Sequence, residues 1–324
     1  MTRYLRSNAW VIGLFALLAA LLVVTRIIQP NYGAAGIVSL VSASLPFAFA
    51  AAAQTVVVIA GGIDLSIASM MALTSVTAAV LMDGASPEFA IVAVGLVLLL
   101  GLCLGAINGA LIVITRVPDI VVTLAMLFVW QGAALLVLPS PGGAAADWLK
   151  ALVVGTVAIP GVPTEITQWV PRGLVLLVVC LAAVFVPLYR SRLGLSIYAI
   201  GSNNLAAFRS GVAVGRTRIA AYSLAGLFAA MGGLVLTMST GIGAPIPGPY
   251  LLASVAAVVL GGVALTGGVG GIIGPIVAVF ILRLVRSDLT FLAVDPNVTT
   301  IIEGTIMVVV VMFGALLALR RRKS

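Results

Sequence analysis

Arg218-IAAYSLAGLFAAMGGLVLTMSTGIGAPIPGPYLLASVAAVVLGGVALTGGVGGIIGPIVAVFIL-Arg283 holds no charged residue between its two arginines. A soluble surface carries roughly 25% charged residues, and a stretch this long without any cannot be wrapped in water. Working outward, the whole chain has the same character: of 324 residues, 62% are hydrophobic and 8% charged. Such a surface has to face lipid, where every backbone polar group must be paired within helices or a closed barrel. Barrel strands alternate in and out over segments of about ten residues. These apolar runs are unbroken, so the sequence predicts an all-α, polytopic helical bundle forming one transmembrane domain over residues 1–324.

Gly, Pro, Asn and charges mark the breaks, and a span needs about 20 apolar residues. The segments read as 9–28, 36–60, 64–82, 88–114, 119–138, 170–189, 219–240, 250–266, 270–287 and 298–319. The basic start at Met1 to Arg6 followed by an apolar run from Ala9 to Thr25 superficially suggests a signal peptide. The run exceeds an h-region of about 7–15 residues and has no clean cleavage site after it. It is expected to be a retained first span.

About ten spans place both termini on one side, and charge says which. With the N-terminus in the cytoplasm, the inner flanks hold Arg3, Arg6, Arg116, Arg190, Arg192, Arg209, Arg216, Arg218, Arg320, Arg321, Arg322 and Lys323. The outer flanks hold only Arg26, Lys150, Arg172, Arg283 and Arg286. This bias, 12 to 5, is what the positive-inside rule asks for. The net charge of +8, which in a soluble chain would point to nucleic acid, is read as positive cytoplasmic loops, and no nucleic-acid partner is expected. Two connections stand out: an outer one at about 139–169, punctuated by Pro and Gly, and an inner one at about 190–218 that carries five arginines.

The chain has no Gly-rich phosphate loop, no histidine and no His-carboxylate cluster. A catalytic role, a metal and a cofactor are therefore not expected. Cys103 and Cys180 lie far apart in apolar runs and are read as small buried hydrophobes.

Two similar interruptions carry the functional interest. Ala60-Gly61-Gly62-Ile63-Asp64-Leu65-Ser66 and Leu260-Gly261-Gly262-Val263-Ala264-Leu265-Thr266 lie 200 residues apart, each after a Val-rich run. Paired interruptions in two halves point to a transport path, while Gly-Gly that merely permits close packing explains them equally well. Asp64 is read either as part of that path or as a cap of the next helix. In the inner loop, Asn203 and Asn204 precede Leu205-Ala206-Ala207-Phe208-Arg209-Ser210-Gly211. That pattern predicts a short capped helix with Leu205 and Phe208 on one side, by default folded against its own protein. Polar residues inside spans are few: Gln54, Asn108, Gln131 and Glu303 are the clearest, and each suits interhelical bonding or a polar path.

At this point the residues resemble a known family. Gly61-Gly62-Ile63-Asp64-Leu65-Ser66 is similar to the signature of inner-membrane permeases of ribose/galactose/xylose-type ABC importers. Asn108-Gly109 with Pro118 and Val122-Thr123-Leu124 agrees with the middle of that family. Tyr198-Ala199-Ile200-Gly201-Ser202-Asn203, Ala206-Ala207 and Ser210-Gly211-Val212 agree with its cytoplasmic loop. Val258-Val259-Leu260-Gly261-Gly262 with Gly267, Gly268 and Gly270 agrees with its C-terminal half. Ala68, Leu195 and Arg209 depart from the usual pattern.

The resemblance implies a permease that pairs with a second permease subunit, identical or not. Two cytoplasmic ATPase subunits would supply the work, and a periplasmic solute-binding protein would deliver a monosaccharide or related small polar solute. It also implies that Asn203, Asn204, Leu205, Phe208, Arg209 and Gly211 form the element coupling to the ATPase. The path or its gates would fall at Gly61, Gly62, Asp64, Asn108, Gln131, Gly261 and Gly262. Without the resemblance, the main competing reading is a secondary transporter driven by an ion gradient.

Overall fold

A computed structural model describes residues 2–158 and 160–323, with side chains outside 2–8, 307, 310–311 and 313–323. The inner-flank residues Arg3, Arg6, Arg320, Arg321, Arg322 and Lys323 therefore have side chains outside the described set. The described residues form fourteen helices and no strand. In chain order these are α1 (Thr2–Ile28), α2 (Ala34–Ile59), α3 (Ile67–Met82), α4 (Pro87–Thr115), α5 (Asp119–Val137), α6 (Asp147–Val153) and α7 (Thr164–Thr167). They continue as α8 (Arg172–Arg190), α9 (Arg192–Ser202), α10 (Asn204–Arg209), α11 (Val214–Thr240), α12 (Tyr250–Leu260), α13 (Ile273–Phe291) and α14 (Pro296–Lys323).

Local chemistry sets many of the boundaries. Pro87 occupies the first turn of α4, where its missing N–H costs nothing, and the Ser86 hydroxyl accepts from the Phe89 N–H at 3.3 Å. Pro118, Pro163 and Pro171 stand directly before α5, α7 and α8.

The core is built around α2, whose residues from Leu40 to Ala60 are nearly all buried. Helix α11 lies along α2, α3 and α4. Its approach to α4 is a backbone contact. A Cβ on Gly105 would collide with the Tyr222 carbonyl, and one on Gly226 with the Gly101 carbonyl. In lipid, such close packing of small residues replaces the hydrophobic effect as the force between helices.

Every predicted segment falls on a helix, but the helices are unequal. Six are long and apolar enough to cross a membrane: residues 9–28 of α1, then α2, α4, α5, α8 and α11. Segment 64–82 shortens to the 16 residues of α3, and segment 250–266 to the 11 residues of α12. At 1.5 Å per residue these are about 24 and 16 Å long, against a hydrocarbon layer of about 30 Å. Neither is a complete span as a helix, and residues 261–272 are a loop rather than the joint of two spans. The two long connections also contain helix: α6 and α7 fill about a third of 139–169, and α9, α10 and the start of α11 fill most of 190–218.

The cysteines correct another expectation. Cys103 is exposed on α4 and Cys180 is half-buried on α8. The surface of α4 around Cys103 also exposes Leu96, Leu99 and Ile107. On a face meant for lipid, a small hydrophobe gains nothing from being buried.

The connections gather at two ends. At one, the Trp10 indole donates to the Leu260 carbonyl (2.8 Å), and the Tyr222 hydroxyl to Asp119 Oδ2 (2.8 Å). At the other, Gly142 and Gly243 exchange backbone bonds (3.1 and 2.8 Å), and the Ala144 N–H reaches the Ala79 carbonyl (3.1 Å). Tyr32 meets Phe291 edge-on at that same end, with ring centroids 6.0 Å apart.

Candidate functional site

Both Gly-Gly interruptions are the same helix stop. At the end of α2, the Gly61 N–H bonds the Val58 carbonyl (2.9 Å) and the Gly62 N–H the Val57 carbonyl (3.0 Å). At the end of α12, the Gly262 N–H bonds the Val259 carbonyl (3.0 Å) and the Val263 N–H the Val258 carbonyl (3.1 Å). These paired bonds define the Schellman stop, whose turning residue sits in the left-handed region. Gly61 has φ +83° and Gly262 φ +82°. The structural repeat is thus offset by 201 residues rather than the 200 of the sequence match, and Gly61 corresponds to Gly262. Gly62 and Gly261 are not the turning residues but sit at points of close approach. A Cβ on Gly62 would meet the Asp119 carboxylate and the Tyr222 hydroxyl, and one on Gly261 the Gly274–Pro275 backbone.

Between Gly62 and α3 the chain is unwound and inside the protein, so its polar groups need partners. Thr123 of α5 supplies them: its hydroxyl accepts from the Leu65 N–H (3.1 Å) and lies within donating distance of the Ile63 carbonyl (3.3 Å). Asp64 is fully buried, and its Oδ1 accepts from the Ser66 N–H (2.8 Å) and hydroxyl (2.6 Å). The Asn108 amide donates to the Ser66 hydroxyl oxygen (2.7 Å), and the Trp130 indole to Asn108 Oδ1 (3.2 Å). The geometry of Asp64 is that of a carboxylate organising the start of α3. Its Oδ2 has no partner among the described residues.

Helix α9 ends against the first stop and against the loop that follows the second. The Gly268 N–H, in the loop after α12, donates to the Ile59 carbonyl at the end of α2 (2.9 Å). Gly201 is pressed against that bond, and a Cβ there would collide with the Ile59 carbonyl and lie 2.7 Å from the Gly268 nitrogen. A Cβ on Gly267 would lie 2.8 Å from the Gly61 Cα and 3.0 Å from the Gly201 Cα. The Tyr198 hydroxyl donates to the Gly270 carbonyl (2.9 Å). Burial, and secondarily Tyr189, pushes the Tyr198 phenol up, so it remains a donor throughout the neutral range. Three bare backbones from distant parts of the chain therefore meet without a side chain between them.

Helix α10 follows directly. Asn203 is its N-cap, with Oδ1 accepting from the Ala206 N–H (2.9 Å). Gly211 closes it with a third stop of the same type, through Gly211 N–H to Phe208 (3.0 Å) and Val212 N–H to Ala207 (3.0 Å). Ala207 faces inward and is buried, whereas Leu205 is 58% and Phe208 67% exposed. The helix is anchored by its caps and one alanine, and its two large apolar residues face away from the chain. Asn204 and Arg209 are exposed beside them.

The structure brings Asp64 and Asn108 together through Ser66, and Gly61 to Gly201 and Gly267. It leaves Gln131 apart, half-buried on α5 with no side-chain hydrogen bond among the described residues. Gln54 is fully buried with neither amide atom partnered, and Glu303 is paired with Arg286 at 2.8 Å. Sequence reading missed the roles of Ser66, Thr123, Trp130, Gly201 and Gly267. A threonine one turn into a span that begins Pro118-Asp119 was the visible signal for Thr123.

An all-helical membrane protein with paired helix stops and an outward-facing loop helix defines a class, that of membrane permeases. Residues 36–311 match the family model described as branched-chain amino acid transport system / permease component. The chain is 31% identical over 313 residues to the ribose import permease protein of Escherichia coli K12, covering 94% of each. It is 30% identical over 277 residues to the autoinducer 2 import system permease protein of the same strain, covering 83% of this chain and 80% of that one. No solved structure matches. The chain belongs to this family: it is an inner-membrane permease of the ABC importer type, and the ion-gradient alternative is set aside.

Proposed function

We propose that this chain forms half of the translocation path of an ATP-driven importer, working with a second permease subunit, two cytoplasmic ATPase subunits and a periplasmic solute-binding protein. Its relatives are named for importing ribose and autoinducer 2, which favours a monosaccharide or a related small polar solute. We assign residues 1–324 to one transmembrane domain crossing about ten times, with both termini cytoplasmic. The sorting of connections to two ends supports this, since each alternates between the ends in chain order.

The observation that carries the proposal is the backbone contact of Gly201 with Ile59, Gly61, Gly267 and Gly268. It joins the end of α9, directly before α10, to the first helix stop and to the loop that follows the second. Gly61, Gly62, Gly261 and Gly262 act in this reading as the gates, with Asp64 and Asn108 holding the first of them in shape. Gln131 is the residue offered as lining the path. Asn203, Asn204, Leu205, Phe208, Arg209 and Gly211 form the coupling element. An ATPase that displaces α10 would pull on the end of α9, and through Gly201 on the end of α2 and the loop after α12.

Phe208→Ala tests the docking half of this reading. Truncating a buried aromatic anchor costs about 2 kcal/mol or more of binding, so ATPase co-purification should fall roughly thirtyfold or more while insertion and thermal stability stay intact. Full retention of ATPase binding removes the coupling role.

A further inference from the structure

At the same end as α10 lies a groove that the transport reading touches only at Asn204. It has a volume of about 450 Å³ and runs between the end of α4, the start of α5, α10 and the start of α11. Arg116, Arg218 and Asn204 line it together with the apolar Ile112, Val113 and Val117. Asp119 is the one acid in the lining, and it is already engaged: Oδ2 accepts from Tyr222 (2.8 Å), and Oδ1 lies 3.9 Å from Arg218. Arg116 makes no ion pair or hydrogen bond through its side chain among the described residues. The groove therefore presents a net positive, hydrogen-bond-donating surface beside an apolar wall.

Two further observations say what fills it. The apolar wall continues onto surface that cannot face water: Ile114 is 76% exposed, with Ile120 and Val121 exposed next to it. Secondly, Arg116 ends α4 in the left-handed conformation, φ +59°. Glycine is the ordinary occupant of that position, and any other residue there is strained. An arginine held in a strained turn at a groove mouth points to a charge needed at that spot. We infer that the groove binds the headgroup of an anionic phospholipid. Arg116 and Arg218 hold the phosphate, Asn204 bonds the glycerol, and the acyl chains run along Val117 and the exposed face of α4 and α5. Basic pockets between helices on the cytoplasmic side are the usual sites for such headgroups. Because Asn204 opens α10, the occupied groove would hold the coupling helix in place. The inference rests on the cytoplasmic placement of this end, which reporter fusions test independently of lipid binding.

The full chain, purified in mild detergent, is titrated with dioleoylphosphatidylglycerol or dioleoylphosphatidylcholine, and retained lipid is counted by native mass spectrometry. The wild-type protein should retain the anionic lipid about tenfold over the zwitterionic one. Arg116→Gly, which relieves the backbone strain, should fold at least as well yet lose at least fivefold of that preference, and Arg116→Gln should lose it too. Arg192→Gln, a basic residue away from the groove, should keep it. Equal retention of the two lipids, an unchanged preference in both Arg116 variants, or an equal loss in Arg192→Gln each overturns the site. Displacement of the lipid by millimolar inorganic phosphate would also overturn it, as it would mark a soluble-anion site instead.

Discussion

Gly201 is the residue on which the proposed mechanism concentrates. Its backbone lies where any side chain would enter the Ile59 carbonyl, so even one methyl group must push α9 away from α2 or break the bond from Gly268. Gly201→Ala is expected to leave insertion and ATPase binding intact while cutting solute uptake at least tenfold and leaving ATP hydrolysis running. Uptake at the wild-type level with a stable protein would show that the three backbones need not touch. The sequence marked this glycine only as part of a matching motif. Its partners are Ile59 and Gly268, one far before it and one well after, and no local pattern reports a contact between them. Asp64 was legible in the opposite sense. Its position two residues before Ser66 suggested a cap, and the bond to the Ser66 N–H is of that kind. What could not be read was the continuation through Asn108 to Trp130, because it needs α4 and α5 to be placed first.

Among the elements, the helix stops determine how far the helices reach. Val-rich runs followed by two glycines were visible, but whether the helix broke and resumed or simply ended depends on hydrogen bonds that the letters do not encode. Turning residues at Gly61 and Gly262 need positive φ, and a leucine at Gly61 must either strain there, by about 1 kcal/mol or more, or unwind the end of α2. Gly61→Leu is therefore expected to abolish uptake while the protein still reaches the membrane. Wild-type uptake in that variant would reduce the stop to a packing detail. Helix α10 was the most legible element, since Asn203 before it and Gly211 after it are both strong punctuation. The exposure of Leu205 and Phe208 was the part left open, and it departs from the default of a helix folded on its own protein. The spacing Gly101, Gly105, Gly109 on α4 was also on the page as a small-residue stripe. All three face α11, a partner that the spacing alone does not name.

For the molecule as a whole, hydropathy located the six described helices that are long and apolar enough to cross a membrane, and charge proposed an orientation. Hydropathy overstated α3 and α12, because an apolar loop such as 261–272 scores like a span while lacking its hydrogen bonds. The orientation predicts that reporter domains fused after Arg209 and Lys323 read as cytoplasmic and one near Ala146 as periplasmic. A periplasmic signal at Arg209 would overturn the topology and, with it, the assignment of α10 to the ATPase.

The bond between Gly268 and Ile59 also has a consequence for how the chain is made. At a translation rate of about 5–20 residues per second, its two halves leave the ribosome about 10–40 s apart. Until Gly268 emerges, the Ile59 carbonyl lacks that donor, and α9, once made, packs against α2, α8 and α11 without the loop that closes over Gly201. On the proposed reading, a nascent or prematurely terminated chain that stops before Gly268 therefore presents α10 without its link through Gly201 to the loop after α12. On that reading, such fragments would not capture the ATPase in a productive pose, so roughly the last sixth of the chain, from Gly268 on, licenses the rest for energy use only when synthesis is complete.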